Sequence, residues 1–316
     1  MGKPLKRVSP KITSFVNRNI DELTIKVLFK VISKIGEPYS LDRRGNPHPP
    51  QLTVMCLVLK IFFGETYESI EARLKSNKLL KELFNVDKLP THSVIHEAMS
   101  KTSMRYLRKV FKRLIYKLNK RKRLVVDATG FSTKTSSAWY DIKIQRKNKR
   151  RDCIKLHALV NVETGQILKV RITDFRKHDC PLFRRLMKDI FNLDKVVGDP
   201  AYLSKENCEI VASKGGKPFF LPKKGIRTRA RGSRIWRIMI VGYKKDKENW
   251  LKQYHIRSFI EAVFSSIKRR WRSILLSIKK LNRRKELFLK TLCYNLKELL
   301  YLLRADQLGI SKWITC

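Results

Sequence analysis

Residues 121–130 read Arg121-Lys122-Arg123-Leu124-Val125-Val126-Asp127-Ala128-Thr129-Gly130, and this stretch decides the fold. An apolar triplet with the character of a strand runs into an aspartate and a turn. The same pattern returns in Lys195-Val196-Val197-Gly198-Asp199. Between the two, Ile154 to Val162 alternates as a strand, Glu163 to Gln166 is a hairpin turn, and Ile167 to Ile172 is the returning strand. Asp179 is placed to cap a helix from Pro181 to Ile190. A helix over Ser204 to Ser213 and a short strand over Pro218 to Leu221 follow. This order of strand, hairpin, helix, strand, helix, strand and helix specifies an α/β domain, a mixed sheet with helices on its faces. Asp127 and Asp199 then sit just beyond the C-terminal ends of two apolar strands, where open α/β sheets bind ligands. If those strands are parallel neighbours, the carboxylates lie side by side.

Working outward, residues 1–20 read as a basic arm and Asp21 to about Leu118 as helical. Leu52 to Phe63 reads as a buried helix. Short helices within 66–101, with Thr91 or Ser93 as a cap, suggest a helix-turn-helix-like element in a helical DNA-binding domain over 21–120; the same pattern is more often plain scaffold. The sheet domain is expected over 121–304, with an irregular basic connector at 222–252 and a tail at 305–316. The connector is too short for a large β-insertion.

Lys and Arg number 71 against 27 Asp and Glu, a formal charge of +44 on 316 residues. Such an imbalance calls for a polyanionic partner, and nucleic acid fits best. Hydrophobic residues at 43% exclude a wholly disordered chain. The six cysteines form no CxxC pair, so they read as thiols of a reducing compartment. There is no signal peptide and no stretch fit to span a bilayer. A cytoplasmic protein with no membrane partner is expected.

The third element is the segment from Gln253 to Lys268. Tyr254, Arg257, Glu261 and Lys268 fall within a stripe roughly 60° wide at about 100° per residue. Ile256, Phe259, Ile260, Val263, Phe264 and Ile267 form the opposite, apolar face of one amphipathic helix. Taken singly, each residue has an ordinary reading: the aspartates as turn residues, Glu261 as a solvated partner of Arg257. Taken together, three carboxylates meeting at one point repel unless a divalent cation lies between them, and Mg²⁺ bridges carboxylates to phosphate oxygens.

The motifs Asp127-Ala128-Thr129-Gly130, Lys155-x-His157, His178-Asp179, Gly198-Asp199-Pro200-Ala201-Tyr202 and Tyr254-x2-Arg257-x3-Glu261-x6-Lys268 resemble those of DDE transposases of bacterial and archaeal insertion sequences. The likeness is to the insertion sequence 4 and insertion sequence 5 assemblage with its Y-R-E-K signature. The resemblance implies an RNase H-like fold preceded by an all-α N-terminal domain. It implies Asp127, Asp199 and Glu261 as catalytic, metal-binding carboxylates holding two Mg²⁺ ions, with Mn²⁺ as substitute. It implies hydrolysis at the element's ends to free a 3′-OH, followed by strand transfer into target DNA. Double-stranded DNA carrying terminal inverted repeats and a second copy of the chain in a synaptic complex are the implied partners. Tyr254, Arg257 and Lys268 are the implied phosphate contacts. Lys155 and His157 share one strand face and are candidates to line the DNA groove. Arg150 and Arg151 belong to a basic run, 143–151, suited to a DNA backbone. Trp236 is a candidate to stack a flipped base, as is Trp250. A different RNase H-like nuclease, or an inactive DNA-binding remnant, is the alternative reading.

Overall fold

Among the described residues upstream of 117, helices predominate. A computed structural model describes residues 7–40, 48–133, 153–226 and 232–314. A two-residue strand β1 (Arg7–Val8) leads into α1 (Pro10–Arg18), α2 (Ile20–Ile32), α3 (Pro50–Phe63), α4 (Tyr67–Lys75), α5 (Lys78–Phe84), α6 (His92–Lys101) and α7 (Met104–Arg113). The sheet region comprises β2 (Lys122–Ser132), β3 (Cys153–Asn161), β4 (Ile167–Asp174), α8 (Cys180–Leu186), β5 (Leu193–Gly198), α9 (Lys205–Ala212), β6 (Lys217–Phe220), α10 (Arg234–Lys245), α11 (Lys247–Tyr254) and α12 (Ser258–Trp271). The long helix α13 (Lys280–Gln307) and strand β7 (Trp313–Ile314) close the chain.

By contacts the chain divides into two units: residues 117–276, and residues 1–116 together with 277–316. In the helical unit α3 is buried all round, from Leu52 to Leu59 without a break. A helix apolar on every side must lie inside, and α2, α4, α6 and α13 pack around it. The expected boundary at 304 therefore moves. Helix α13 is also buried along most of its length, and it packs with α3 and α1. Lys285 on α13 donates to the carbonyls of Met99 and Ser100 at 2.8 and 2.9 Å, at the C-terminal end of α6 where a cation is favoured. Nor are the arm and the tail loose. Ile12 and Val16 pack on Leu300, Tyr301 and Ala305, and β1 pairs antiparallel with β7. Ile12, Phe15 and Val16 give α1 its inner face, three residues in a nine-residue helix too short for its period to stand out.

The sheet has the order β4-β3-β2-β5-β6. Strand β2 is antiparallel to β3 and parallel to β5, and β6 is parallel to β5. Leu124, Val125 and Val126 lie at its centre and are fully buried, because a central strand is covered on both faces. This is the expected mixed sheet with flanking helices. Three local features differ from the sequence reading. Strand β2 does not end at Asp127: its antiparallel partner carries it on to Ser132, paired with Cys153. The connector is not irregular where it is described, for it holds α10 and α11; the runs of Lys and Arg hide the inner positions Trp236, Met239 and Ile240. The Gln253–Lys268 segment is not one α-helix. Residues His255–Arg257 tighten into a 3₁₀ turn between α11 and α12.

Candidate active site

The register of two parallel strands sets the centre of the site. Val126 pairs with Gly198, so Asp127 and Asp199 are the next residues along two neighbouring parallel strands, whose spacing is about 4.8 Å. Gly198 makes this approach possible. A Cβ there would lie 2.8 Å from Val126 Cγ1 and 3.1 Å from the Phe220 ring. Asp199 leaves the strand in an extended conformation and its Oδ1 accepts from the Ala201 N–H at 3.0 Å. Asp127 Oδ1 accepts from the Ala128 N–H at 2.8 Å.

Glu261 reaches this pair through Arg257. The guanidinium donates from Nη2 to Asp127 Oδ2 at 2.9 Å and from Nη1 to Glu261 Oε1 at 2.6 Å. The 3₁₀ turn carries Arg257 to the position between them. Asp127 is 13% exposed and Glu261 55%, so the first carboxylate is desolvated and the second is wet. Burial pushes the Asp127 carboxyl above its ordinary value; the Ala128 N–H and Arg257 oppose this, while the charges of Asp199 and Glu261 add to it. Burial by itself would lower the Arg257 pKa, but Asp127, Tyr254, Glu261 and Asp199 together raise it. The site therefore draws a cation, and its donors are all carboxylate oxygens, which suit a hard divalent ion. Among the described residues no three metal-ligating side chains already form a closed cluster. The carboxylates face one region with a guanidinium between two of them.

The other expected site residues divide by exposure. Lys268 on α12 donates to Thr129 Oγ1 at 2.7 Å, and its ammonium lies 5.4 Å from the Phe131 ring centre. Tyr254 is 9% exposed and stacks on Trp250 at 5.5 Å; burial pushes its phenol up to about 12. Its hydroxyl lies in the field of Asp199, Asp127 and Glu261, but its ring is a packing element rather than an open face. Trp236 is 8% exposed on the inner side of α10, and Trp250 is equally buried against Phe219 and Tyr243. Neither indole is presented for stacking on a base. His157 is fully buried and does not line a groove. Its Nε2 is 2.9 Å from Thr173 Oγ1 and its Nδ1 is 3.3 Å from Asp179 Oδ1. Burial lowers its pKa to about 4, with Asp179 opposing and Lys155 adding. Lys155 pairs with Asp179 at 2.6 Å. Asp179 thus does not cap α8; its carboxylate is engaged by the β3 pair. Arg150 and Arg151 lie outside the described residues.

Sequence reasoning missed Asp179 as a member of the site's surroundings, because an Asp before Pro181 is ordinarily a cap. It also missed Tyr202. This fully buried phenol has no hydrogen-bond partner for its hydroxyl among the described residues, and its pKa is raised by burial and by the charges of Asp179, Asp127 and Asp199. The spacing of Tyr202 three residues after Asp199 was the available signal.

Residues 118–296 match the family model described as the transposase DDE domain, more than half of the chain. The chain belongs to the DDE transposase family. It is also similar to piggyBac transposase, seen by cryo-EM as a synaptic complex with hairpin DNA. That likeness has 10% identity and a TM-score of 0.47, over 92% of this chain and 73% of that one. A weaker likeness is to a chain of the simian T-cell lymphotropic virus intasome in complex with PP2A regulatory subunit B56 gamma. There the identity is 14% and the TM-score 0.26, over 64% of this chain and 65% of that one. No curated protein matches. The membership in the DDE transposases rests on the family match. Among the described residues no helix is long and apolar enough to cross a membrane.

Proposed function

We propose that this protein is a cytoplasmic insertion-sequence transposase of the insertion sequence 4/5 assemblage. It hydrolyses one strand at each end of its element to free a 3′-OH and then joins that end to target DNA. The observation that carries this reading is the register Val126–Gly198, which makes Asp127 and Asp199 neighbours, together with the Arg257 bridge from Asp127 to Glu261.

Asp127, Asp199 and Glu261 would hold two Mg²⁺ ions, or Mn²⁺ in their place. When bound, the metal supplies charge neutralisation, a polarised phosphate oxygen and an activated attacking oxygen. The protein's own residues do the positioning. Asp127 is fixed by the ladder to β3 and Asp199 by the strand end before it and the Ala201 N–H, so their oxygens need little reorganisation during reaction. Arg257 neutralises Asp127 and Glu261, and it turns to a DNA phosphate once those carboxylates are otherwise satisfied. Lys268, held over β2 by Thr129, lies on the same stripe for a second phosphate. The helical unit grips the inverted repeats, and a homodimer holds two ends in one synaptic complex.

The test is cleavage and joining of a duplex bearing the inverted repeats that flank the coding region, in Mg²⁺, with strand-specific labels. The reading expects a 3′-OH product and, with a pre-cleaved end, a joined product. Cleavage without joining from the pre-cleaved end would favour a different RNase H-like nuclease.

A further inference from the structure

Helix α7 carries five cations on its outer face: Arg105, Arg108, Lys109, Lys112 and Arg113. All five are exposed. At about 100° per residue they span an arc of about 140°, and Tyr106, Leu107, Val110 and Phe111 bury the opposite side. None of the five makes an ion pair among the described residues. Elsewhere in the helical unit some cations make ion pairs, while others, such as Lys11, Arg18, Lys30 and Lys34, make none among the described residues. Lys26 pairs with Glu22, Arg73 with Asp21 and Glu65, and Lys101 with Glu97. Helix α7 has no acidic residue at all. Three of its pairs, 105/109, 108/112 and 109/113, are like charges four apart, which destabilise a helix. Arg105 also stands at the positive end of the helix dipole. Folding therefore does not account for this stripe, and a polyanion would.

We propose that the outer face of α7 is a sequence-independent docking surface for the phosphate backbone of double-stranded DNA. The inference rests on the DNA-acting reading above and adds to it a named contact outside the catalytic unit. The fit is one of length and charge. Ten residues of helix run about 15 Å, and a duplex of that length carries about nine phosphates. The cations fall along one side of the helix, as contact with one edge of a groove requires. No base reader stands among them, so they position the duplex without reading it.

The experiment uses the full chain with all five residues changed to Gln (Arg105→Gln, Arg108→Gln, Lys109→Gln, Lys112→Gln, Arg113→Gln). A control removes the same charge from exposed positions on and beside α1 and α2 (Lys11→Gln, Arg18→Gln, Lys26→Gln, Lys30→Gln, Lys34→Gln). Affinity for an unrelated duplex and for one carrying the element's end is followed from low to high salt. The α7 variant is expected to lose about 3 to 5 from the salt slope on both duplexes, and to melt no lower than wild type. The control is expected to lose 1 or less. Equal losses in the two variants would overturn the proposal, since net charge alone would then explain them. An unchanged slope in the α7 variant would overturn it while leaving the DNA reading intact. Failure of wild-type protein to bind either duplex would overturn both. A loss confined to the end-bearing duplex would overturn sequence independence.

Discussion

Asp127 and Glu261 bond to the same guanidinium from two different kinds of scaffold. Asp127 stands in an 11-residue strand with hydrogen-bonded neighbours on both sides. Its side chain is 13% exposed, and it pairs with Ala158 directly after the β5 ladder ends at Val126. Glu261 stands on α12, more than half exposed, and among the described residues its carboxylate is tied to the sheet half through Arg257 alone. The helix is anchored by Ile260, Val263, Phe264 and Ile267. At its far end the chain turns at Arg272 and residues 273–275 bond back to Ser132. Strand register thus fixes one part of the candidate triad, and a side-chain ion pair holds the other. The sheet half is rigid and the helix half is adjustable.

Breaking each half separately should give different results. The largest effect is expected at the rigid half. Asp127→Asn should lower end cleavage by on the order of 10³-fold, while its melting temperature stays at or above wild type. The sign follows from the raised pKa: at neutral pH the ionised carboxylate is less favourable in the folded chain than in the unfolded one, so a neutral isostere relieves that cost. Thermal unfolding beside a cleavage assay checks both. Next comes the bridge. Arg257→Lys cannot reach two carboxylates in a fork, and cleavage should fall by about 10–100-fold with DNA affinity changed far less. A wild-type rate in that variant would show the bridge to be incidental. Gly198→Ala tests how tightly the sheet half is packed. It should cost about 1–3 kcal/mol in a denaturant titration, because Val126 and Phe220 must move. The smallest effect is expected where the helix half turns. Arg272 holds φ 62°, ψ 148°, a conformation that glycine adopts without strain. Arg272→Gly should raise stability by about 1 kcal/mol and leave cleavage unchanged.

A pH test sharpens the contrast in a third place. His157 is neutral and buried, with a folded pKa of about 4 against an ordinary 6.5. The unfolded chain takes up a proton first as pH falls, so stability should drop between about 6.5 and about 4. Asp179, Lys155 and Thr173 face the ring and set this window. His157→Gln should flatten the melting-temperature profile across it. A profile equal to wild type would contradict the assignment.

The rigid half was readable in the sequence, and the adjustable half only partly so. Two apolar runs followed by aspartate gave both strands and the adjacency of their aspartates, since a strand's character is local. The end of β2 was not readable, because Ala128, Thr129 and Gly130 look like a turn and only pairing with His157, Leu156 and Lys155 keeps them extended. The stripe of Tyr254, Arg257, Glu261 and Lys268 was legible by period. Its interruption by a 3₁₀ turn was not, nor was the burial of Tyr254 on Trp250, because both depend on contacts made after folding. Helix α13 was assigned to the sheet domain by its place in the chain, whereas its apolar surround belongs with α3. The cations of α7 were lost in a uniformly basic sequence, and only their gathering on one exposed face of a helix without an acidic residue makes them stand out.

The central claim is that Asp127, Asp199 and Glu261 act as one catalytic set. Its most direct test is single-turnover cleavage of an end-bearing duplex in Mg²⁺ by Asp127→Ala, Asp199→Ala and Glu261→Ala, with DNA binding measured in parallel. The account predicts loss of cleavage in all three with binding retained. Cleavage at the wild-type rate by any one of them would contradict it.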